Sequence, residues 1–327
     1  MDNDRYENLK KRGISEEELQ FVKKIEEDAE EPIYIRSIKD NRITDIFIAD
    51  CGVSSIPEII ELLENLEEIY LSEQKISKLP ESIGMLKNLK KITIFDTSIE
   101  NLPDSFANLE YLENLTIAKS KLKQFPTVIC ELKNLKKLDL DNNFIKNIPN
   151  CIIKLKELNS ISLKNNNIEE FTNSLTKLTS LIKILLDNNK IVSLPDSIVN
   201  LSNIISISLN NTQLTAFPIQ LCQLTNLVAI ELKDNQISII PECIGNLIKL
   251  GRLFLSNNKI SELPESMVNI KELIYEINLD HNQFKKIPEV LSKLNLNRVD
   301  LRNNLIKSYP KKLGKLKEIE KGWYSLP

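Results

Sequence analysis

Five cysteines are the residues of this chain whose type and spacing could support covalent or metal chemistry. Cys130 and Cys151 are 21 residues apart, and the same interval separates Cys222 from Cys243. Two thiol pairs at one spacing could form two disulfides or a metal clip, or they could simply be small side chains in equivalent places. The choice depends on the elements that hold them.

His281 is the only histidine, and Asp280 precedes it. Serine and cysteine nucleophiles usually need a histidine base, and no motif places a nucleophile for this one. The sequence also contains no His-Glu-x-x-His, no glycine-rich phosphate loop and no Cys-x-x-Cys. It therefore predicts no catalytic residue, no metal site and no cofactor, and we expect that the chain is not an enzyme. The alternative is an active site assembled from Asp and Glu on an open surface.

The element that holds these residues is a repeat of 23 residues that is marked by proline. The prolines that lie 23 residues or a multiple of 23 apart are Pro57, Pro80, Pro103, Pro126, Pro149, Pro195, Pro218, Pro241 and Pro264. Alignment on them gives twelve units, which open at Ile43, Leu66, Leu89, Leu112, Leu135, Leu158, Leu181, Ile204, Leu227, Leu250, Leu273 and Leu296. A period of this length predicts a solenoid, in which each unit packs only against its neighbours.

Each unit has the same pattern of apolar residues. Counted from the opening residue, they occupy repeat positions 1, 4, 6, 11, 14, 18 and 21, and proline occupies position 15. Positions 4 and 6 alternate with polar neighbours, which predicts a short strand with one buried face. Positions 18 and 21 are three residues apart, which predicts one short α or 3₁₀ turn in the second half of the unit.

Position 9 is most often asparagine, as in Asn143, Asn166, Asn189, Asn235, Asn258 and Asn304. An amide side chain both donates and accepts, so at this place it can bond the backbone of the loop that leaves the strand. We interpret these asparagines as structural and not catalytic.

The repeat also bears on the cysteines. In both pairs the first cysteine is at position 19 of one unit and the second is at position 17 of the next. Elsewhere these positions carry Ser, Gly, Ala, Thr or Val, so they require small side chains. We therefore expect the thiols to fill a groove in a reduced state, with disulfides as the alternative.

The pattern L-x-x-L-x-L-x-x-N-x-L, followed by L-P-x-x-I-x-x-L, resembles the leucine-rich repeat family over residues 43–318. The proline-containing 23-residue unit is similar to the intracellular Ras-group subtype. The resemblance implies an α/β fold, a curved horseshoe solenoid with a parallel β-sheet on its concave face and short α or 3₁₀ segments on its convex face. It also implies a protein partner, and it points only weakly to a small GTPase.

Composition limits the classes of partner. The formal net charge is -3, so the chain as a whole lacks the basic character of nucleic-acid binding proteins. The first residues are charged, and nowhere do eighteen apolar residues follow one another. We expect a soluble, cytoplasmic protein that contacts neither nucleic acid nor membrane.

The N-terminal residues 1–42 are predicted to cap the solenoid. Ser15 and Glu18 have the spacing of a capping box, and an amphipathic helix follows over about residues 15–30. A strand over about residues 33–38 then turns back to pair beside the first repeat. This cap would shield the apolar end of the repeat array from water.

The C-terminal residues 319–327 are predicted to form the second cap, with Trp323 and Tyr324 over the last repeat. An aromatic binding site is the alternative for these rings. Residues 1–31 hold eleven acids and six bases, whereas residues 296–327 hold eight bases and three acids. We expect a monomer with solvated ends, and the opposite charges make head-to-tail association the alternative.

Function is expected on the concave positions 3, 5 and 7, because the fold does not require them. A first cluster consists of Phe47, Tyr70 and Phe95 on three consecutive strands, about 4.8 Å apart. A second cluster consists of Glu231, Arg252, Phe254, Tyr275, Arg298, Asp300 and Arg302. Aromatic residues and arginine are enriched at binding hot spots. The alternatives are that the N-terminal cap covers the first cluster and that salt bridges occupy the second.

The sequence therefore predicts a non-enzymatic protein interaction module or scaffold that binds its partner on the concave face and acts in intracellular signalling. The alternative is a structural protein that self-assembles through its oppositely charged ends.

Overall fold

The apolar residues at positions 4 and 6 form short strands, and the prolines at position 15 start short helical turns, in a computed structural model of the chain. The structure describes residues 3–73, 75–270, 276–294 and 296–307. The chain divides into two units, an N-terminal unit of residues 1–166 and a C-terminal unit of residues 167–327.

The N-terminal unit contains two helices and a sheet. The helices are α1 (Asn3–Lys11) and α2 (Glu16–Glu26). The strands are β1 (Tyr34–Lys39), β2 (Arg42–Ala49), β3 (Glu68–Ser72), β4 (Lys91–Phe95), β5 (Asn114–Ala118), β6 (Lys137–Asp139) and β7 (Ser160–Ser162). β1 is antiparallel to β2, and the strands from β2 to β7 pair in parallel, each with the next.

The C-terminal unit has the same parallel order. Its strands are β8 (Lys183–Leu185), β9 (Ser206–Ser208), β10 (Ala229–Glu231), β11 (Arg252–Phe254), β12 (Glu276–Asn278) and β13 (Arg298–Asp300), and a four-residue helix α3 (Val290–Lys293) precedes β13. Each strand pairs with the next without a register shift. The predicted α/β repeat fold with a parallel sheet is confirmed.

The second half of ten units forms a 3₁₀ turn, as the three-residue spacing of apolar positions allowed, and in the unit before β13 the α-helix α3 takes its place. These turns are Glu58–Leu62, Glu81–Met85, Asp104–Asn108, Thr127–Glu131 and Asn150–Lys154 in the N-terminal unit, and Leu175–Lys177, Asp196–Asn200, Ile219–Gln223, Glu242–Asn246 and Glu265–Asn269 in the C-terminal unit. Proline precedes each of them except Leu175–Lys177, where Ser174 is the N-cap. The proline φ, about -70° at Pro80, suits this entry because the ring fixes that angle.

The position 9 asparagines bond the loop backbone, as predicted. Asn143 is buried; its Oδ1 accepts from Leu122 N–H at 3.1 Å. Its Nδ2 donates to the carbonyl oxygens of Ile117 and Leu140 at 2.8 and 3.0 Å. The same contacts recur at Asn258 in the C-terminal unit. These amides satisfy backbone groups that stacking removes from water.

Position 8 has a structural role that the sequence analysis did not identify. Its residues adopt positive φ values near 50°, as at Asn142 and Asn257, and His281 occupies the same position with a φ of 52°. Asn and Asp tolerate this left-handed conformation better than other non-glycine residues. Asn165 Nδ2 also donates to Asn142 Oδ1 at 2.9 Å, so exposed side chains of this position form a ladder.

The N-terminal helices close the first repeat from one side. The Oγ of Ser15 accepts from Glu18 N–H at 3.2 Å, which caps α2. Helix α2 ends at Glu26, earlier than the predicted residue 30, and α1 was not predicted at all. Glu18 is fully buried, and its Oε1 accepts from Ile43 N–H at 3.0 Å. That bond ties the cap directly to the first residue of the repeat.

The cysteine pairs are disulfides, so the expectation of reduced thiols that fill a groove was wrong. Cys130 bonds Cys151 in the N-terminal unit with Cα atoms 5.7 Å apart, and Cys222 bonds Cys243 in the C-terminal unit with Cα atoms 5.6 Å apart. Each bond joins the 3₁₀ turns of two consecutive repeats. Cys51 is free and buried.

In the described ranges no helix is long and apolar enough to cross a membrane.

Candidate functional site

The first candidate site is a row of aromatic rings on the N-terminal unit. Phe47 and Tyr70 are paired residues of β2 and β3, and their rings stack with centroids 4.4 Å apart and planes 10° from parallel. Tyr34 of β1 is the register partner of Phe47 and is 64% exposed. We call Tyr34, Phe47 and Tyr70 the aromatic row. It lies on the sheet face opposite the buried residues Ile35 and Ile46.

Arg36 is positioned on this row by an irregular strand pairing. The register between β1 and β2 shifts after Ile35, next to Arg36. The guanidinium of Arg36 lies 4.3 Å from the ring centroid of Phe47 and 5.8 Å from that of Tyr70. A guanidinium at this distance from a ring face makes a cation–π contact. The N-terminal cap thus places one cation on the rings and leaves Tyr34 exposed.

Phe95 does not belong to the aromatic row. It pairs with Ala118, whereas Tyr70 pairs with Thr93, so the ring is two residues further along the strands. Phe95 is 39% exposed, and Lys119 Nζ lies 5.7 Å from its ring centroid. The predicted strip of Phe47, Tyr70 and Phe95 is therefore two adjacent features on one sheet face.

In the second cluster, in the C-terminal unit, three charged residues form ion pairs. Asp300 is buried with 2% exposure, and its carboxylate accepts from Arg302 Nε and Nη2 at 3.1 and 2.8 Å. Arg298 forms an ion pair of 3.2 Å with Glu276. Glu231 accepts from Asn210 Nδ2 at 3.0 Å. The salt-bridged surface, which sequence analysis left as the alternative, describes these residues well.

Two members of the second cluster are not engaged in those bonds. Phe254 is half-buried, and the Nζ of Lys233 lies 4.5 Å from its ring centroid. Arg252 is exposed on the same strand, two residues earlier. Tyr275 lies outside the described residues. The aromatic and arginine patch that the structure describes is therefore smaller than predicted.

The concave face of the N-terminal unit also carries two neighbouring carboxylates, Asp139 and Asp141. Burial raises the pKa of Asp141 to about 6, against a lowering by the Ser162 hydroxyl, and Asp139 adds repulsion. Burial also raises the pKa of Asp139. Asp141 Oδ1 accepts from Ser162 Oγ and Lys164 N–H at 2.6 and 2.7 Å. Because these bonds are internal to the sheet, Asp141 connects the chain that follows β6 to β7 and to the residues just after it.

The described residues hold no group of three or more His, Cys, Asp or Glu side chains arranged to bind a metal ion. His281 Nδ1 lies 2.7 Å from Asp280 Oδ2, and this histidine occupies the left-handed position 8, so its place follows from the repeat.

The sequence analysis did not identify Tyr34 and Arg36 as site residues. The alternating pattern of residues 33–38 could have indicated Tyr34. The register shift that directs Arg36 onto the rings has no signature in the sequence.

Comparison with known proteins agrees with this architecture. A family model described as "Leucine-rich repeat region" matches residues 46–139 and 82–186. A search of curated proteins gives no match. Among solved structures, a leucine-rich repeat protein of Leptospira interrogans is 30% identical with a TM-score of 0.76, over 79% of this chain and 66% of that protein. The chain thus spans just under two thirds of that relative's length.

Two further structures share the fold at lower identity. An internalin from Listeria monocytogenes is 23% identical with a TM-score of 0.69, over 92% of this chain and 94% of that one. The Arabidopsis receptor kinase HAESA, solved with a peptide hormone and a co-receptor, is 23% identical with a TM-score of 0.72, over 92% of this chain and 54% of that one. At this identity the likeness concerns the fold alone.

Proposed function

We propose, because the chain belongs to the leucine-rich repeat family, that it is a non-enzymatic module that binds a protein partner on the concave sheet face of its N-terminal unit. Proteins with this fold generally mediate protein–protein interaction. The aromatic row supports this choice of face most directly. Three rings lie in register on consecutive strands, on side chains that the core does not use.

Stacked rings that stay partly exposed to water are typical of binding surfaces. Tyr and Phe offer large contact areas at low cost in side-chain entropy, and such residues are enriched at hot spots. Arg36 already contacts Phe47 and Tyr70, so the rings and the cation are held in one arrangement before binding. Preorganised groups lose less entropy when a partner arrives. The C-terminal cluster offers less, since Arg302 is paired with Asp300 and Arg298 with Glu276.

The compartment follows from a different observation. Disulfides persist in oxidising environments and are rare in the cytosol. The bonds Cys130–Cys151 and Cys222–Cys243 therefore weigh against the cytoplasmic location and the small-GTPase partner expected from sequence. We propose that the partner is met in an oxidising compartment.

Affinity capture from the native cells tests the binding face. The double variant Phe47→Ala with Tyr70→Ala should lose the partner that the wild-type chain recovers, as measured by quantitative mass spectrometry. The matched control is Phe254→Ala with Arg252→Ala, which removes one ring and one cation from the other unit and should recover the partner normally. Unchanged recovery by the first variant would show that the aromatic row is not the binding face. A wild-type chain that captures only itself would favour self-assembly.

A further inference from the structure

The C-terminal unit exposes a line of aliphatic side chains at the edge where its strands begin. Ile182, Ile205 and Val228 occupy repeat position 2 of three consecutive units and are 43%, 42% and 37% exposed. Ile205 N–H donates to the Ile182 carbonyl at 2.8 Å, and Val228 N–H donates to the Ile205 carbonyl at 2.8 Å. The three side chains are thus stacked on adjacent turns. We call them the edge stripe.

The same repeat position in the N-terminal unit carries charges. Glu67, Lys90, Glu113 and Lys136 occupy it, with the same backbone ladder beneath them. Glu67 and Lys90 form an ion pair of 3.4 Å, and Glu113 and Lys136 one of 2.8 Å. The fold therefore accepts a charged side chain at position 2. Aliphatic residues in the C-terminal unit are a property of this unit and not a requirement of the repeat.

The segments that carry the edge stripe contain charges of one sign. Each stripe residue lies in a short segment that covers repeat positions 22 and 23 of one unit and positions 1 to 3 of the next. These segments are 179–183, 202–206 and 225–229, and the next equivalent one is 248–252. Their charged residues are the cations Lys183, Lys249 and Arg252, and they contain no carboxylate. Ile248 in this set is a further aliphatic side chain with 53% exposure. The corresponding segments of the N-terminal unit mix acids and bases. A row of exposed aliphatic residues whose own segments carry only basic charges indicates an interaction surface. The nearest carboxylate on the next strand, Glu276, is already paired with Arg298.

We propose that the edge stripe is a second docking surface, which binds an amphipathic helix of another protein that carries aliphatic side chains on one face and carboxylates beside them. Three turns of the sheet span about 10 Å. Two turns of an α-helix span about 11 Å, so side chains at i, i+3 or i+4, and i+7 match the three stacked residues. The flanking carboxylates pair with Lys183 and Arg252.

Two other occupants of the edge stripe fit less well. A second copy of the chain that docked its own edge stripe about a two-fold axis would set Lys183 and Arg252 opposite cations, which costs binding energy. A lipid surface usually recruits aromatic side chains at the interface, and the four segments contain none. An acidic helix satisfies both the apolar and the electrostatic features. This surface is independent of the aromatic row.

The test uses the full chain and two synthetic 18-residue helical peptides, each with leucine along one face. One peptide has glutamate beside the leucines and the other has lysine. Fluorescence anisotropy should show that the wild-type chain binds the glutamate peptide more tightly than the lysine peptide. The variant Ile205→Asp should weaken binding of the glutamate peptide at least about tenfold, equivalent to about 1.4 kcal/mol. Lys183→Glu should shift the preference toward the lysine peptide.

The matched control is Lys90→Asp, which places the same new side chain at the same repeat position of the N-terminal unit and should leave binding unchanged. Circular dichroism of both variants checks the fold. The proposal is overturned if the wild-type chain binds neither peptide, prefers the lysine peptide, or binds equally well after Ile205→Asp. It is also overturned if sedimentation shows a dimer that Ile205→Asp dissolves, or if anionic phosphatidylserine vesicles bind through Ile205. Binding by the aromatic row is unaffected by any of these outcomes.

Discussion

In each unit one surface is covered by ion pairs and another exposes apolar side chains, and the two units place these surfaces in opposite ways. In the N-terminal unit the strand-start edge is covered by ion pairs such as Glu113 with Lys136, while the concave face presents the aromatic row. In the C-terminal unit the concave face pairs its own charges, as in Asp300 with Arg302, while the edge presents the aliphatic stripe.

One scaffold with the same buried positions thus exposes two kinds of surface. The positions that build the solenoid recur in both units, and Asn143 and Asn258 make equivalent bonds. What differs is only the side chains that the core does not use. A repeat position therefore indicates function where two conditions hold. Its side-chain chemistry changes along the chain, and the backbone bonds beneath it stay the same.

The largest expected effect separates rings that fold the chain from rings that bind. Phe106 is fully buried in the N-terminal unit, so Phe106→Ala should lower the free energy of unfolding by about 3–5 kcal/mol. Phe95, on the concave face and 39% exposed, should cost less than about 0.5 kcal/mol when replaced by alanine. Urea unfolding measures both. A cost for Phe95→Ala close to that of Phe106→Ala would mean that the concave rings are structural after all.

The two disulfides, one in each unit, should stabilise the fold by similar amounts. Each bond closes a loop of 21 residues, so Cys151→Ser and Cys243→Ser should each lower the free energy of unfolding by about 3 kcal/mol. Thiol titration of the unreduced wild type should find one thiol, and only after denaturation. Cys51 is buried, and desolvation together with Glu73 raises its pKa to about 12. Five thiols in the denatured, unreduced chain would instead show that the four paired cysteines are reduced and only fill the groove between repeats.

The charge pairs of the C-terminal unit can be broken one at a time. Arg302→Ala leaves the buried Asp300 carboxylate without its bidentate partner and should lower the unfolding free energy more than Arg298→Ala does. Arg298→Ala breaks a more exposed ion pair with Glu276 and should cost less than about 1 kcal/mol. Denaturant titration of the two variants compares them directly. Equal costs would remove the argument that this cluster is structural.

Much of this molecule could be predicted from its sequence, because a 23-residue period constrains every unit in the same way. The strands, the 3₁₀ turns and the bonds of the position 9 asparagines follow from it. The left-handed position 8 could also be predicted, since Asn142, Asn165, Asn188 and Asn211 recur there and asparagine tolerates a positive φ. Helix α1 was missed because nine residues with only Tyr6 and Leu9 buried give a weak periodic signal.

The candidate site was predicted less well, for a physical reason. Sequence spacing identifies which strands carry Phe47 and Tyr70, but the position of Arg36 depends on a register shift that no pattern shows. The partners of the charged residues are also set in three dimensions, so Arg302 and Arg298 looked alike in sequence. Spacing found both cysteine pairs, yet it could not decide their oxidation state.

The smallest expected effect concerns the carboxylates Asp139 and Asp141 on the concave face of the N-terminal unit. Burial raises the pKa of Asp141 to about 6, above its value in an unfolded chain. The folded state therefore favours the protonated acid, and the stability that this group contributes at low pH is lost as the pH rises from about 4 through about 6. Asp141→Asn removes that titration and keeps an oxygen to accept from Ser162 and Lys164 N–H.

The variant should therefore gain stability relative to wild type as the pH increases over this window, and the gain should level off above pH 7. Urea midpoints of both proteins at pH 4, 5, 6 and 7 measure it. Ser162→Ala serves as the control, because it removes one bond to Asp141 without removing the charge. A stability difference between Asp141→Asn and wild type that stays constant with pH would show that Asp141 is solvated like an ordinary surface acid. The contrast between the units would then rest on the aromatic row and the edge stripe alone.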